Sequence, residues 1–321
     1  MPDLGVGGQA VIEGVMMRAK DRIATAVRIP SGEILVKSED FKSVSSKYKF
    51  LSLPVIRGVV AFFEMLIIGI RTLNFSADIA VREIEKQEAL ESGKPYIYKE
   101  KKTSSFVLFG TAIFALALGI AVFFFLPLAI STLLNVKKGA VAFNLVAGGI
   151  RVVLFLIYVW GISFFGEFKR VFQYHGAEHK SIFAYENGLE LTTENVSRFT
   201  TFHPRCGTSF ILIVALFAIV IYSFSDTMFA VITGNPPALA TRFMLHFLLL
   251  PFVAGGAYEL LKLSGRTRDN SITKILIQPG LWLQRITTKE PSVDQMEVAI
   301  VALESALGVT ESKLAVKKTC L

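Results

Sequence analysis

Four stretches of this chain are apolar for the length of a bilayer crossing, and they restrict the folds open to it. Phe106 to Leu134 contains no charged residue. Ala140 to Phe165 carries only Arg151, and Thr208 to Ile232 only Asp226. Thr241 to Leu261 carries Arg242 and His246 near one end and Glu259 near the other. About 20 apolar residues cross a hydrocarbon core as a helix, because only helices and closed barrels satisfy their backbone there. With 52% hydrophobic and only 19% charged residues, the expected fold is an α-helical polytopic membrane protein of about four transmembrane helices.

The Lys and Arg residues orient those helices. Lys86, Lys94, Lys99, Lys101 and Lys102 precede the first span, and Lys169, Arg170, Lys180, Arg198 and Arg205 sit between the second and third. Lys262, Arg266, Arg268 and Lys274 follow the fourth. The opposite connections hold only Lys137 and Lys138, and an uncharged Gly234-Asn235-Pro236-Pro237. The positive-inside bias therefore places both termini and the 166–207 loop in the cytoplasm. The net charge of +8 is mostly this bias, helped by anionic head groups. No basic stripe interleaved with aromatics stands out, so no nucleic-acid partner is expected. Met1 to Arg18 lacks the pattern of a signal peptide. Cys206 and Cys320, both on the cytoplasmic side, are not expected to form a disulfide.

Residues 1–54 read as a small cytoplasmic β-rich domain. Ile23 to Ile29 and Ile34 to Lys37 flank the turn Pro30-Ser31-Gly32-Glu33, and Gly7 to Gly14 reads as one further strand between glycine bends. Within 55–105, Val55 to Leu73 is apolar except for Arg57, Glu64 and Arg71, which form one narrow stripe at helical pitch. An interfacial or re-entrant helix is expected there, followed by a separate charged helix from Glu83 to Glu91. Spans one and two fill 106–165, the cytoplasmic loop 166–207, spans three and four 208–261, and a cytoplasmic segment 262–321. In that last segment Ile272 to Leu283, with Pro279 and Trp282, reads as a membrane-surface segment anchored by an aromatic. Ser292-Val293-Asp294-Gln295 resembles a capping box opening a helix to about Leu307.

The chemistry concentrates in 166–207. The chain has four His and two Cys, and three of those imidazoles and one thiol fall between positions 175 and 206. His175-Gly176-Ala177-Glu178-His179 puts two imidazoles on one helix face with a carboxylate beside them, the His-x-x-Glu-His pattern of a zinc helix with a built-in base. The helix is expected from Glu167 to Asn187, capped at Gly188. A tetrahedral zinc needs a further ligand. His203, Cys206 and Glu259 are the candidates, with Glu186, Glu190 and Glu194 behind them. Three protein ligands and a water would make a catalytic site with Glu178 as general base; four would make a structural one. Arg205 reads as an oxyanion or lipid-phosphate contact or as positive-inside charge. Glu259 can equally pair with Arg57, Arg71 or Lys262. His246 reads as a buried polar contact, and Arg151 as a partner for a buried carboxylate. Glu13 reads as part of a glycine loop near the site or as plain turn chemistry.

Three runs carry a family resemblance: Gly7 to Arg18, Tyr174 to Lys180, and His203-Pro204-Arg205-Cys206-Gly207-Thr208-Ser209-Phe210, with Gln284 to Ala302 in agreement. They resemble the YqhQ-like bacterial membrane proteins, a family of unknown function labelled as predicted metal-dependent enzymes. The resemblance implies a metal-dependent enzyme in a bacterial inner membrane, with no substrate assigned. His175, Glu178 and His179 alone are also similar to inverzincin metallopeptidases, whose third ligand is a downstream Glu; Glu259 has a comparable separation. Two readings stay open. One is a zinc-dependent hydrolase, possible peptidase activity included, acting on a membrane-associated substrate at the cytoplasmic face. The other is a membrane scaffold or quality-control partner with a structural metal. A transporter ranks third, since only Arg151 is expected near mid-membrane.

Overall fold

The computed structural model describes residues 5–93, 105–136, 140–204, 206–266, 270–309 and 316–318. The protein is mostly helical, with an antiparallel sheet near its N-terminus. Strands β1 (Gly7–Val11), β2 (Gly14–Arg18), β3 (Arg22–Arg28) and β4 (Ile34–Asp40) pair in sequence order, and β5 (Val316–Lys318) joins β4 in parallel. The segment from Gly7 to Gly14, expected as one strand, is instead β1 and the turn into β2. Glu13 makes that turn at φ +51, and Val11 pairs with Gly14 across it.

Strand alternation sends side chains to two different helical layers. Val15, Met17, Ala24, Ala26, Ile34 and Val36 form the main core with Tyr174 and Ala177 of α6 (Gly166–Glu186) and with α11 (Val293–Leu307). From the opposite face, Met16 and Ile23 meet Ile68, and Val11 and Val27 meet Ile79. Those two isoleucines belong to α2 (Ile56–Glu91). Helix α11 begins at the expected capping box: Ser292 N–H donates to Gln295 Oε1 at 2.9 Å, and Gln295 N–H to Ser292 Oγ at 3.4 Å. It ends at Gly308 in the left-handed region, φ +78.

Helix α2 corrects the two-piece reading of 55–105. It runs unbroken for 36 residues, because no Gly or Pro between Thr72 and Glu91 interrupts it. A continuous helix is not re-entrant. Its polar stripe turns toward protein: Arg57 pairs with Glu259, Glu64 accepts from Ser43 Oγ and Val44 N–H, and Arg71 pairs with Glu39. Phe63, Leu66, Ile67 and Ile70 lie exposed on the same helix.

Four helical stretches among the described residues are long and apolar enough to cross a membrane: Ile113–Leu133, Val141–Ile162, Ile211–Thr233 and Leu239–Leu263. They suggest a lipid bilayer environment. The first is α3 (Ser105–Ile120), a π turn (Ala121–Phe125) and α4 (Leu126–Leu133); the others are α5 (Ala140–Ile162), α8 (Gly207–Thr233) and α9 (Leu239–Arg266). Between spans two and three the chain forms α6 and the short α7 (Thr193–Ser197). After α9 comes α10 (Ser271–Thr287), which contains the Ile272 to Leu283 stretch and has Pro279 inside it.

Candidate metal centre

Helix α6 begins after Phe165 with Glu167 in its first turn, and Gly188 follows its end at φ +68. Acidic charge at the N-terminus and a left-handed glycine after the C-terminus are what the local sequence prescribes. Helical pitch then brings His175 and His179 together edge to face, with ring centroids 4.4 Å apart.

Two backbone carbonyls orient the rings. His175 Nδ1–H donates to Thr287 O at 2.7 Å, and His179 Nδ1–H to Thr201 O at 2.5 Å. A carbonyl only accepts, so each Nδ1 carries the proton and each Nε2 presents a lone pair, the tautomer that binds metal. Both lone pairs belong to one group with Cys206. The ligand atoms of His175, His179 and Cys206 lie within 4.8 Å of one another, and His175 Nε2 sits 3.2 Å from the Cys206 sulfur. Buried His179 Nε2 makes no hydrogen bond of good geometry. A tetrahedral zinc with bonds of about 2.0–2.3 Å has ligand–ligand edges of ~3.4–3.6 Å. Side-chain shifts of about an ångström would close that shell. Two fixed tautomers and a thiol together fit a borderline-soft cation such as zinc.

Glu178 is buried beside this group and accepts a hydrogen bond from the Gly8 backbone. Burial raises its pKa to about 8, opposed by the nearby positive charge His175 can carry and reinforced by Cys206. Burial also lowers the pKa of His179, which keeps its imidazole in the neutral, ligating form. Two close approaches depend on missing side chains. A Cβ at Gly8 would lie 2.9 Å from Glu178 Cγ and Cδ, and one at Gly176 only 2.1 Å from Lys289 O. Gly176 thus lets α6 settle onto the chain leaving α10, which delivers the Thr287 carbonyl to His175.

The remaining expected ligands lie elsewhere. His203 is outside the three-residue group: its Nε2 faces Glu186 Oε1 at 3.4 Å, and its ring meets Phe183 edge-on at 4.5 Å. Its backbone is held at both ends by Gln284, which accepts from His203 N–H at 2.7 Å and donates to His203 O at 2.8 Å. Glu259 is committed to Arg57, whose Nε lies 2.7 Å away, and is not among the three grouped residues. Glu13 braces the domain, bonded by Arg170 and by Tyr174 Oη at 3.3 Å. Arg205 lies outside the described residues. Of the other groups that shape the centre, Gly8 lies in the glycine run read as near the site; Thr201 and Thr287 act through backbone carbonyls and Gln284 through another residue's backbone, so no side-chain pattern marks them.

Residues 53–309 match the family described as "Protein of unknown function (DUF1385)". This chain belongs to the DUF1385 family. It is also 34% identical over 314 residues to the "Uncharacterized protein YqhQ" of Bacillus subtilis (strain 168), covering 94% of this chain and 92% of that protein. No solved structure matches it. The DUF1385 segment contains all three grouped ligands and Glu178. Neither description names a metal or a reaction.

Proposed function

We propose that this DUF1385 protein is a zinc-dependent hydrolase working where its soluble layer meets the membrane, on the cytoplasmic face of a bacterial inner membrane. The supporting observation is the pair of fixed tautomers, which leaves two imidazole lone pairs and the Cys206 sulfur facing one point beside a buried carboxylate. His175, His179 and Cys206 are the three protein ligands, an open-shell number that leaves a fourth position for water or substrate. Zinc there would supply a Lewis acid that makes water nucleophilic near neutral pH.

The protein's own groups supply the rest. Thr287 O and Thr201 O keep both rings from rotating. Glu178 takes the water proton on its free carboxylate oxygen, while the Gly8 N–H holds the carboxyl in place. Burial alone raises the Glu178 pKa to about 8; a divalent cation at the three ligands would lower it again, so that the carboxylate form is present to accept the proton and pass it to a leaving group. His203, behind His179, steadies the loop that carries Cys206.

The decisive measurement is metal analysis of protein purified without chelator. One zinc per chain is expected, lost in His175→Ala and His179→Ala. Glu178→Gln should keep the zinc and lose hydrolysis of a membrane-presented peptide or ester; wild-type protein with no stoichiometric metal would sink the reading. The near-complete enclosure of His179 and Cys206, 1% and 5% exposed, favours a second reading in which the metal only clamps α6 to the start of α8. In that case Glu178→Gln changes neither metal content nor any activity.

A further inference from the structure

A cavity of about 180 Å³ lies among the candidate spans, and none of the residues lining it belongs to the His175, His179 and Cys206 group. Phe123, Arg151 and Tyr222 line it at the middles of their spans, and from there it follows α8 to Ile211 and Leu212. Eleven residues of helix make that course about 16 Å long. It ends five residues from Cys206.

The cavity wall is apolar apart from two groups. Pro127 has no N–H, so it leaves the carbonyl of Phe123, four residues before it, without its helical donor. Arg151 Nε supplies one at 2.9 Å. That contact explains where Arg151 is held but leaves its charge uncompensated. Among the described residues no carboxylate pairs with it; the guanidinium lies over the rings of Phe124 at 5.0 Å and Tyr222 at 5.9 Å. A cation inside a bilayer is costly unless an anion or water meets it. Tyr222 is the second group: it is 2% exposed, and its Oη has no hydrogen-bond partner. Both groups can donate, and neither meets an acceptor that carries charge.

The geometry points to a binding site for a single-chain anionic amphiphile, an acyl or alkyl chain whose carboxylate or phosphate is held by Arg151 and Tyr222. Charge complementarity selects the anion. Size selects one chain: the cavity is smaller than the roughly 300–1,000 Å³ of drug-sized sites, so it takes the head and the first part of one chain, with the rest free to continue into lipid. The tail runs along α8 toward Ile211. This site does not depend on the metal.

The test is saturable binding of radiolabelled laurate and dodecyl phosphate to full-length protein in phosphatidylcholine nanodiscs, corrected for empty discs. At least one of the two should bind tenfold or more tightly than dodecanol, and their order tells a carboxylate from a phosphate head. Arg151→Gln, which keeps an N–H for Phe123 O, should weaken binding at least tenfold, and Tyr222→Phe about threefold. Binding should persist in His175→Ala protein. Equal binding of dodecanol, no saturable binding above empty discs, unchanged affinity in Arg151→Gln, or loss in His175→Ala would each overturn the proposal. If Arg151→Gln fails to fold, the ligand series and Tyr222→Phe decide it on folded protein.

Discussion

His179 and His246 are each almost fully enclosed, at 1% and 0% exposure, yet their surroundings are opposite in kind. At His246 an internal anion meets the donors. Asp226 accepts from Asn144 Nδ2 at 2.8 Å, and its oxygens lie 3.0 Å from Arg242 Nε and from His246 Nε2. One carboxylate faces one guanidinium, and the His246 ring stacks on Tyr222 at 4.1 Å. At His179 the nearest polar groups are a second imidazole and a thiol, and the proton-bearing nitrogens are tied to carbonyls. Lone pairs converge there with no charge to receive them. A cluster that closes its own charge braces α5, α8 and α9; a cluster that does not close it is suited to an external cation. Buried histidine by itself therefore says little, and the identity of the neighbour at each ring nitrogen decides the role.

The strongest challenge to this contrast is Asp226→Ala. It strands the Arg242 charge between helices, and breaking a buried pair in this way costs about 3–5 kcal/mol. Thermal denaturation in detergent should show that loss with metal content intact; a cost under about 1 kcal/mol would mean that Asp226 is no brace. Withdrawing metal comes next. A chelator should lower the midpoint of unfolding in wild-type and His246→Ala protein but not in His179→Ala. The expected loss is about 2.7 kcal/mol for metal present at a hundred times its Kd. Equal chelator sensitivity of wild type and His179→Ala would erase the distinction. The smallest effect is expected from Gly176→Ala. Its Cβ would meet Lys289 O, so α6 must shift, costing about 1–3 kcal/mol as overpacking does. Zinc affinity should weaken along with the displaced Thr287 carbonyl, whereas an unchanged affinity would separate ring orientation from metal binding.

Much of the architecture was legible because it rests on local rules. Alternation and the Pro30-Ser31-Gly32-Glu33 turn marked β3 and β4, and the Ser292 and Gln295 pair marked the start of α11. His175 and His179 were legible for the same reason, since pitch alone puts positions four apart on one face. The tight turn at Glu13 was not legible, because a non-glycine residue with positive φ departs from the usual turn chemistry. Nor was the continuity of α2, whose change from apolar to charged composition reads as a boundary although nothing breaks the helix. Cys206, His203 and Glu259 stood as equal candidates because sequence separation carries no distance.

By itself, the sequence determined the helical class, the four apolar spans, the small sheet and the helix face that pairs two imidazoles with Glu178. Each of these follows from burial and from backbone hydrogen bonds a few residues apart. Only the tertiary structure decided that Cys206 joins the two imidazoles, that Arg57 pairs with Glu259, and that Asp226 claims His246. Those outcomes depend on groups from α2, α8, α9 and α10 meeting across sequence separations of 20 to 202 residues. A hydrogen bond or ion pair at that separation is set by packing, which no local spacing encodes.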